Sequence, residues 1–190
     1  MHTTIIIDHP YENSFNHCLL KELVISLDKN NEKYDLIDLY KDGFSPVMTT
    51  EELRTYMTEL PKDSNTLRYI DSIKKADRLI LIFPIWWYDT PAGLKGFLDK
   101  VLLNNVAFCD GPNGILPLLK IETAHIFASS EQEYEAMMKR CNGVFRYGLE
   151  TTLLDCGVKE VKWHHIGAIS AQTEEFRSKF IKSAYSMLNE

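Results

Sequence analysis

Three consecutive aromatic residues between two prolines carry the clearest chemical signal in this sequence. The segment Trp86–Tyr88 lies between Pro84 and Pro91, directly after the apolar run 79–83. That run is rich in β-branched and aromatic residues and predicts a strand buried on both faces of a parallel sheet. Two indoles and a phenol in the following loop are costly to leave in water unless something flat covers them. A planar aromatic cofactor would do so, and an aromatic cluster that seals a core or a subunit contact fits the same pattern.

The loop after the first predicted strand carries groups that suit a phosphate. It spans residues 9–17 and leads into a helix that begins at Ser14. A helix amino terminus offers unpaired N–H groups and a positive dipole end, and Ser14, Asn16 and His17 add polar donors around it. The sequence leaves open the alternative that Ser14 or Asn13 only caps the helix.

Together the two loops could hold a flavin nucleotide. Backbone N–H groups in the loop 84–88, just past a rigid strand, can meet the polar edge of the ring while Trp87 or Tyr88 packs on its face. Donors directed at the flavin N1 and C2 carbonyl stabilise the negative charge of the reduced form, which is how a protein tunes this cofactor. The phosphate tail is then expected near Ser14.

The elements that position these loops alternate between strands and helices. Apolar and alternating patterns predict five strands, at 3–8, 34–40, 79–83, 122–127 and 158–166. Helical spacing predicts helices at 14–27, 50–75 with a break at Pro61, 89–103, 131–155 with a break near Gly143, and 173–188. The third of these has a strong start, with Asp89 or Thr90 as the cap and Pro91 at the first helical position. The segment 111–114, Gly-Pro-Asn-Gly, marks an excursion.

Strands that alternate with helices predict an α/β fold with a doubly wound parallel sheet. The loop 9–14 contains no glycine, which argues against the Rossmann version, and no Walker A motif occurs. The five-stranded flavodoxin-like order 2-1-3-4-5 is therefore favoured, with a ligand at the switch point between the first and third strands. Because no linker or internal repeat is present, residues 1–190 are predicted to form one domain.

Composition and residue patterns argue against several other classes of protein. A net charge of -6 and a pI near 5.5 argue against binding to nucleic acid or to an anionic membrane. The four cysteines are scattered and His164 and His165 should point to opposite faces of a strand, so neither a disulfide framework nor a metal site is predicted. The amino terminus does not have the pattern of a signal peptide, and a cytoplasmic location is expected.

Several motifs together resemble those of the flavodoxin-like NAD(P)H dehydrogenases (quinone). This family includes the bacterial drug-activity modulator B and the ancillary subunits of glutathione-gated potassium efflux systems. The resemblance covers about the first two thirds of the chain. Its matching residues are His9-Pro10, Ser14-Phe15-Asn16, Asp38-Leu39-Tyr40, Gly43-Phe44-Ser45-Pro46, Phe83 to Tyr88, Pro91-Ala92, Leu94-Lys95-Gly96, Asp99-Lys100-Val101 and Ala107-Phe108.

The resemblance implies one non-covalent FMN or FAD per subunit, with electrons supplied by NAD(P)H. It also implies a homodimer whose active sites lie at the subunit contact. The residues expected to hold the flavin are His9, Ser14, Phe15, Asn16, His17, Pro84, Ile85, Trp86, Trp87, Tyr88, Ala128, Ser129, Ser130 and Glu131.

The sequence departs from the family pattern in two places. Where the family usually has a Thr-Thr-Gly-Gly loop over the flavin, this chain has Ala-Ser-Ser-Glu at 128–131, so side chains stand in place of glycines. Animal members also use a tyrosine and a histidine to stabilise charge during hydride transfer. Tyr134 is the candidate here, but no histidine follows it at 137–140. Tyr134 could act alone, Arg140 could take over the electrostatic part, or Tyr134 could be an ordinary half-buried helix residue.

The predicted function is hydride transfer from NAD(P)H through the flavin to a quinone or a similar small electrophilic acceptor. Donor and acceptor would use the same exposed face of the ring in turn, which predicts ping-pong kinetics. Two alternatives remain at this stage. The chain could be a regulatory subunit associated with a potassium efflux transporter, or a one-electron carrier of the flavodoxin kind.

Overall fold

The computed structural model describes residues 1–56, 61–112 and 114–189. Seven strands are present in this part of the chain. Their bounds are β1 His2–Ile7, β2 Lys33–Asp38, β3 Arg78–Pro84, β4 Phe108–Gly111, β5 Gly114–Pro117, β6 Ile121–Ser129 and β7 Val158–Ile166.

Five of these strands form one parallel sheet in the order β2-β1-β3-β6-β7. Strands β6 and β7 are the fourth and fifth strands of this sheet along the chain, because β4 and β5 form a separate hairpin. The predicted order 2-1-3-4-5 is therefore confirmed. The predicted strand 158–166 coincides with β7, and the others differ by one or two residues at their ends. Strand β3 is buried at every position, which explains the continuous apolar run 79–83 within it.

Seven helices are present in the described residues, and six of them cover the two faces of the sheet. Their bounds are α1 Phe15–Lys29, α2 Thr50–Thr55, α3 Ser64–Lys75, α4 Ala92–Val101, α5 Tyr134–Cys141, α6 Val144–Cys156 and α7 Glu174–Met187. Helices α1 and α7 pack on one face, where Ile5 and Ile7 point, and α3 to α6 pack on the other, where Ile6 points. Because successive side chains of β1 point to opposite faces of the sheet, this strand contributes residues to both halves of the core.

The breaks predicted within two helical spans are present. The span 50–75 divides into α2 and α3 with Pro61 between them, and residues 57–60 of this span lie outside the described part of the chain. The span 131–155 divides at Asn142 and Gly143, which have φ of 51° and 68°. Such left-handed backbone ends a helix and is tolerated best by asparagine and glycine.

The start of α4 was predicted incorrectly. Pro91 is the N-cap and not the first helical residue, and Asp89 and Thr90 cap no part of this helix. Asp89 instead accepts a hydrogen bond from the Thr90 N–H at 2.7 Å. The carboxylate that caps α4 belongs to Asp8, which accepts the Leu94 N–H from the end of β1. A partner 86 positions away in sequence took the place of the local cap.

The excursion predicted at 111–114 is part of an antiparallel hairpin. Strands β4 and β5 pair from Phe108 with Pro117 to Gly111 with Gly114, and Asn113 lies outside the described residues. Among the helices that the structure describes, none has the length and apolar character needed to cross a bilayer.

Candidate functional site

Three loops meet at the carboxyl edge of the sheet because their strands are neighbours. Ile7 at the end of β1 pairs with Ile82 of β3, and Pro84 at the end of β3 pairs with Ser129 of β6. The loop 8–14, the loop 85–91 and the loop 130–133 therefore share one edge, where open α/β sheets bind ligands. The sheet thus brings together the predicted phosphate and ring loops.

Ser14 caps helix α1, as one of the two sequence interpretations proposed. Its Oγ accepts the His17 N–H at 3.2 Å and lies 3.1 Å from His17 Nδ1. The other ring nitrogen, His17 Nε2, lies 3.4 Å from an Asp38 carboxylate oxygen. Ser14 and His17 are buried. Asp38 was matched to a family motif by sequence, but its contact with His17 was not predicted.

Asn16 is buried at the start of α1 and is only partly satisfied. Its Oδ1 accepts the Ser129 hydroxyl at 2.8 Å, which ties the first loop to β6. Its Nδ2 has no hydrogen-bond partner among the described residues. The backbone N–H groups of Phe15 and Asn16 also have none within this part of the chain. An unpaired amide donor beside two free helix N–H groups is a suitable environment for an anion.

His9 and Phe15 lie on either side of this helix start. The His9 ring is 6.1 Å from the His17 ring and 6.3 Å from the Trp86 ring, measured between centroids. Burial lowers the pKa of His9, and the positive charge of His17 lowers it further. The Phe15 ring packs against Phe180 of α7 at 5.9 Å. His9 therefore links the phosphate loop to the aromatic loop, while Phe15 mainly secures α1 to α7.

The aromatic loop is a tight turn with an unusual backbone. Trp86 and Asp89 exchange two backbone hydrogen bonds, at 3.0 Å and 3.1 Å. The two central residues, Trp87 and Tyr88, have φ of 50° and 64°. Turns of this kind favour asparagine and glycine, and left-handed backbone costs an ordinary residue roughly 1–2 kcal/mol. Bulky aromatics at both positions make this a strained turn, and such strain occurs preferentially at ligand sites.

The turn exposes one indole almost completely. Trp87 is 93% exposed, whereas Ile85 is buried and donates its N–H to the Ser129 carbonyl at 2.7 Å. The N–H of Trp86 is used within the turn, but those of Trp87 and Tyr88 have no partner among the described residues. Of the backbone donors predicted in 84–88, these two are available to a ligand.

A pocket of about 200 Å³ lies beside this turn. It is lined by Ile85, Trp87, Tyr88, Ser130, Glu131, Gln132 and Met137. Tyr88 closes one side, because its hydroxyl accepts a hydrogen bond from Gln132 at 3.3 Å. The pocket therefore joins the aromatic loop to the loop after β6, the two places where sequence predicted contacts with a ring.

The side chains in the loop that departs from the family pattern have intrachain partners. Ala128 and Ser129 are buried residues of β6. The Ser130 hydroxyl donates to the Gln132 carbonyl at 2.6 Å and lies 2.9 Å from His165 Nε2. Glu131 accepts the Ser170 hydroxyl at 2.8 Å. These contacts tie the loop to the end of β7 and to the segment that follows it.

Tyr134 begins α5, and its hydroxyl is held by a cation. Arg146 Nη1 donates to it at 2.5 Å, and Arg146 Nε donates to Glu150 at 2.8 Å. The ring of His165 lies 5.1 Å from the Tyr134 ring. Arg146, and not the exposed Arg140, is the cation in contact with Tyr134. A histidine also stands beside Tyr134, but it comes from β7 and not from α5.

Sequence reasoning missed these partners because they come from other elements. His165 was considered only as a metal ligand, and it lies on the opposite face of β7 from His164, which stacks on Phe127 at 4.7 Å. No group of three metal-ligating side chains is found in the described part of the chain. Helical spacing could have indicated Arg146 through its pairing with Glu150, four residues later.

The model of a protein family with the flavodoxin-like fold matches residues 1–187 of this chain. The chain belongs to this family. Its flavodoxin-like sheet is confirmed by the strand order above.

Three relatives within this fold group are informative. An uncharacterized NAD(P)H oxidoreductase of Haemophilus influenzae is 28% identical over 196 residues, covering 97% of this chain and 92% of the relative. The solved structure of an NAD(P)H:quinone oxidoreductase from Methanothermobacter marburgensis has a TM-score of 0.84 and 26% identity, covering 98% of this chain and 96% of the other. An FMN-dependent NADH:quinone oxidoreductase of Coprothermobacter proteolyticus is 31% identical over 101 residues, covering 52% of this chain and 51% of that protein.

Proposed function

We propose that this flavodoxin-like protein is an NAD(P)H oxidoreductase that uses FMN or FAD to reduce a quinone or a similar small electrophilic acceptor. The observation that carries the proposal is the strained turn at Trp86–Asp89, which exposes Trp87 beside a pocket at the carboxyl edge of the sheet. Relatives named as NAD(P)H oxidoreductases support the same assignment. One of them is named as FMN-dependent.

The residues at the start of α1 fit the phosphate of a flavin nucleotide. The free N–H groups of Phe15 and Asn16 and the buried, unpaired Nδ2 of Asn16 supply donors to an anion. The helix dipole adds favourable electrostatics at the same point. We propose that Ser14 and His17 support this site through their mutual hydrogen bond.

The residues of the aromatic turn fit the ring of the cofactor. The free N–H groups of Trp87 and Tyr88 are donors suited to the polar edge of an isoalloxazine. A bound flavin supplies the redox chemistry, accepting hydride from NAD(P)H and passing two electrons to an acceptor. Ile85, Tyr88 and Met137 line the pocket with apolar surface that excludes water.

The loop at 130–131 is compatible with this arrangement because its polar side chains have partners. Ser130 is held by Gln132 and His165, and Glu131 by Ser170, so the protein itself positions these groups. We propose that the loop covers the ring at this edge in place of the glycines of the family pattern.

The extreme exposure of Trp87 favours a homodimer. An indole that is 93% exposed in one chain is costly in water, and aromatic residues are enriched at protein interfaces. We propose that a second subunit covers Trp87 and completes the acceptor pocket. The donor and the acceptor would then occupy the same space in turn, in a ping-pong mechanism.

Spectroscopy of the purified protein tests the assignment directly. The preparation should show the visible absorbance of oxidised flavin, either as purified or after incubation with FMN or FAD. Anaerobic addition of NADH or NADPH should bleach this absorbance rapidly. A protein that binds none of these flavins would refute the proposal, and slow bleaching by both donors would favour a carrier or a regulatory subunit.

The position of the site is tested by two tryptophan variants. Trp87→Ala should weaken FMN binding far more than Trp163→Ala, because Trp163 packs against Phe145 on the core side of β7. Fluorescence titration of each variant measures the dissociation constant. Equal effects would place the ring elsewhere.

A further inference from the structure

Three side chains at the start of α1 form a chain of two hydrogen-bond contacts. Ser14 Oγ lies 3.1 Å from His17 Nδ1, and His17 Nε2 lies 3.4 Å from Asp38 Oδ2. The side chain of His17 is 7% exposed and that of Asp38 is 13% exposed. The other Asp38 oxygen accepts the Lys41 N–H at 3.1 Å, so Asp38 is fixed in place. His17 is thus held between a hydroxyl and a carboxylate.

The neutral form of His17 directs the Ser14 hydroxyl inward. An ionised carboxylate only accepts hydrogen bonds, so Nε2 must carry the hydrogen that faces Asp38. A neutral imidazole then has a bare Nδ1, which accepts the hydroxyl hydrogen of Ser14. In this form Ser14 has no hydrogen to donate to a ligand.

The protonated form of His17 releases that hydrogen. Both ring nitrogens then donate, and Ser14 Oγ accepts from Nδ1 as well as from the His17 backbone N–H at 3.2 Å. Both lone pairs of the hydroxyl oxygen are used, and its hydrogen is free for an external acceptor. That acceptor would stand beside the free N–H groups of Phe15 and Asn16.

We propose that His17 is a positioning residue that couples its own protonation to binding of the cofactor phosphate at the start of α1. This inference rests on the proposed function, since it requires a phosphate-bearing cofactor at this position. Binding of the phosphate takes up one proton at His17 and turns Ser14 from an inward donor into a donor to the phosphate. By linkage, a higher pH weakens the binding of the phosphate.

Other ionisable groups surround His17 and enter the design of the test. Asp38 reaches it from β2, and His9 faces it from the loop after β1. Asp8, at the end of β1, interacts electrostatically with Asp38. Burial, and then the proximity of His17, lower the pKa of His9.

The test compares FMN with riboflavin, which lacks the phosphate. Dissociation constants are measured by flavin fluorescence between about pH 7 and about pH 9, above the second phosphate pKa near 6. For the unmodified protein, the constant for FMN should rise by up to about tenfold per pH unit, the limit for one linked proton. The constant for riboflavin should stay level over the same range.

Variants assign the effect to one residue. His17→Gln should bind FMN more weakly at about pH 7 and lose the pH dependence, because glutamine does not titrate. His2→Gln is the matched control, because His2 lies at the opposite end of β1 beside Asp35, and it should keep the slope of the unmodified protein. A His17→Gln protein with an unchanged slope, or equal slopes for FMN and riboflavin, would overturn the inference.

A second measurement tests the inference if the His17→Gln protein does not fold. Nitrogen NMR of the unmodified protein should find both ring nitrogens of His17 protonated in the FMN complex. At the same alkaline pH, the flavin-free protein should have only Nε2 protonated. A neutral imidazole in the complex would overturn the inference while leaving the oxidoreductase assignment intact, and absence of binding to FMN, FAD and riboflavin would overturn both.

Discussion

Gly96 of α4 lies directly against Pro46 of the segment that follows β2. A Cβ on residue 96 would stand 2.3 Å from the Pro46 carbonyl oxygen and 2.4 Å from the Pro46 Cβ. One turn later, Lys100 donates to the Ser45 carbonyl at 3.0 Å and pairs with Glu52 at 2.7 Å. Two motifs that were separate in the sequence, at 43–46 and 94–96, therefore pack on each other. Their joint function is to hold the segment after β2 against α4.

Gly96→Ala should destabilise the fold by about 1–3 kcal/mol, the usual cost of forcing a methyl group into a packed site. Urea unfolding followed by circular dichroism measures the change. The control is Gly148→Ala in α6, where a Cβ would meet no atom of the described residues within 4 Å. That substitution should stabilise the helix by about 0.5–1 kcal/mol. Similar losses in both variants would show that the contact with Pro46 is unimportant.

Asp8→Asn should preserve the cap of α4 that Asp8→Ala removes. The asparagine oxygen can still accept the Leu94 N–H, whereas alanine should lose about 1 kcal/mol. Burial raises the pKa of Asp8 and the charge of Asp38 raises it further, against the hydrogen bond from Leu94. The folded state therefore disfavours the ionised carboxyl, and its stability falls as the pH rises through that pKa.

The amide avoids this cost, so Asp8→Asn should match or exceed the unmodified protein at neutral pH. Its advantage should shrink as the pH falls toward about 4, where the carboxyl takes up its proton in both states. Unfolding free energies at both pH values measure the difference. An asparagine variant as unstable as the alanine variant would show that the negative charge is required.

Trp87→Asn should stabilise the flavin-free protein by about 1 kcal/mol while weakening flavin binding. Asparagine tolerates the left-handed backbone that residue 87 adopts, with φ of 50°, so the substitution relieves strain. The stacking surface of the indole is lost at the same time. Thermal unfolding without cofactor and fluorescence titration with FMN measure the two effects. A less stable variant would contradict the assignment of strain to this turn.

Acidification should destabilise the protein through a buried histidine. Burial and the charge of His164 lower the pKa of His125 from 6.5 to about 3. Between these values the unfolded chain binds a proton that the folded chain does not, so stability falls with falling pH by up to about 1.4 kcal/mol per unit. Burial also lowers the pKa of His165 to about 4, which adds to the effect.

His125→Gln should remove its share of this acid sensitivity, because glutamine remains neutral. Unfolding free energies between about pH 4 and about pH 7 give the slope for each protein. A variant with the slope of the unmodified protein would mean that His125 takes up no proton on unfolding.

Tyr134→Phe should lower the rate of flavin reduction by NAD(P)H about tenfold or more, with flavin still bound. The hydroxyl is held by Arg146, and a preorganised polar group near developing charge contributes to catalysis. Stopped-flow measurement of bleaching isolates this step. Tyr147→Phe, on the exposed surface of α6, is the control and should have no effect. An unchanged rate in Tyr134→Phe would identify it as an ordinary helix residue.

Local sequence patterns predicted the parallel sheet well because its determinants are local. The apolar run 79–83 predicts β3, and the segment 158–166 predicts β7 to the residue. The predicted order follows from counting strands and from the lack of glycine in the first loop. Ser14 was recognised as a helix start for the same reason, since its cap partner is only three residues away.

Contacts between distant residues could not be read from local patterns. The cap of α4 comes from Asp8, the partner of Tyr134 from α6, and the partner of His17 from β2. Each depends on which loops the sheet brings together. The backbone of Trp87 and Tyr88 was also unexpected, because turn chemistry at these positions favours asparagine and glycine.

The contrast between the three tryptophans gives the molecule its own optical signal. Trp163 is partly buried against the core, Trp86 is 43% exposed and Trp87 is 93% exposed. Emission from Trp87 is therefore set by the surrounding water, while that of Trp163 is set by the protein. A partner that covers the turn should change the emission of Trp87 most, because this indole loses the most contact with water. Intrinsic fluorescence can follow occupancy of this surface in real time without a label.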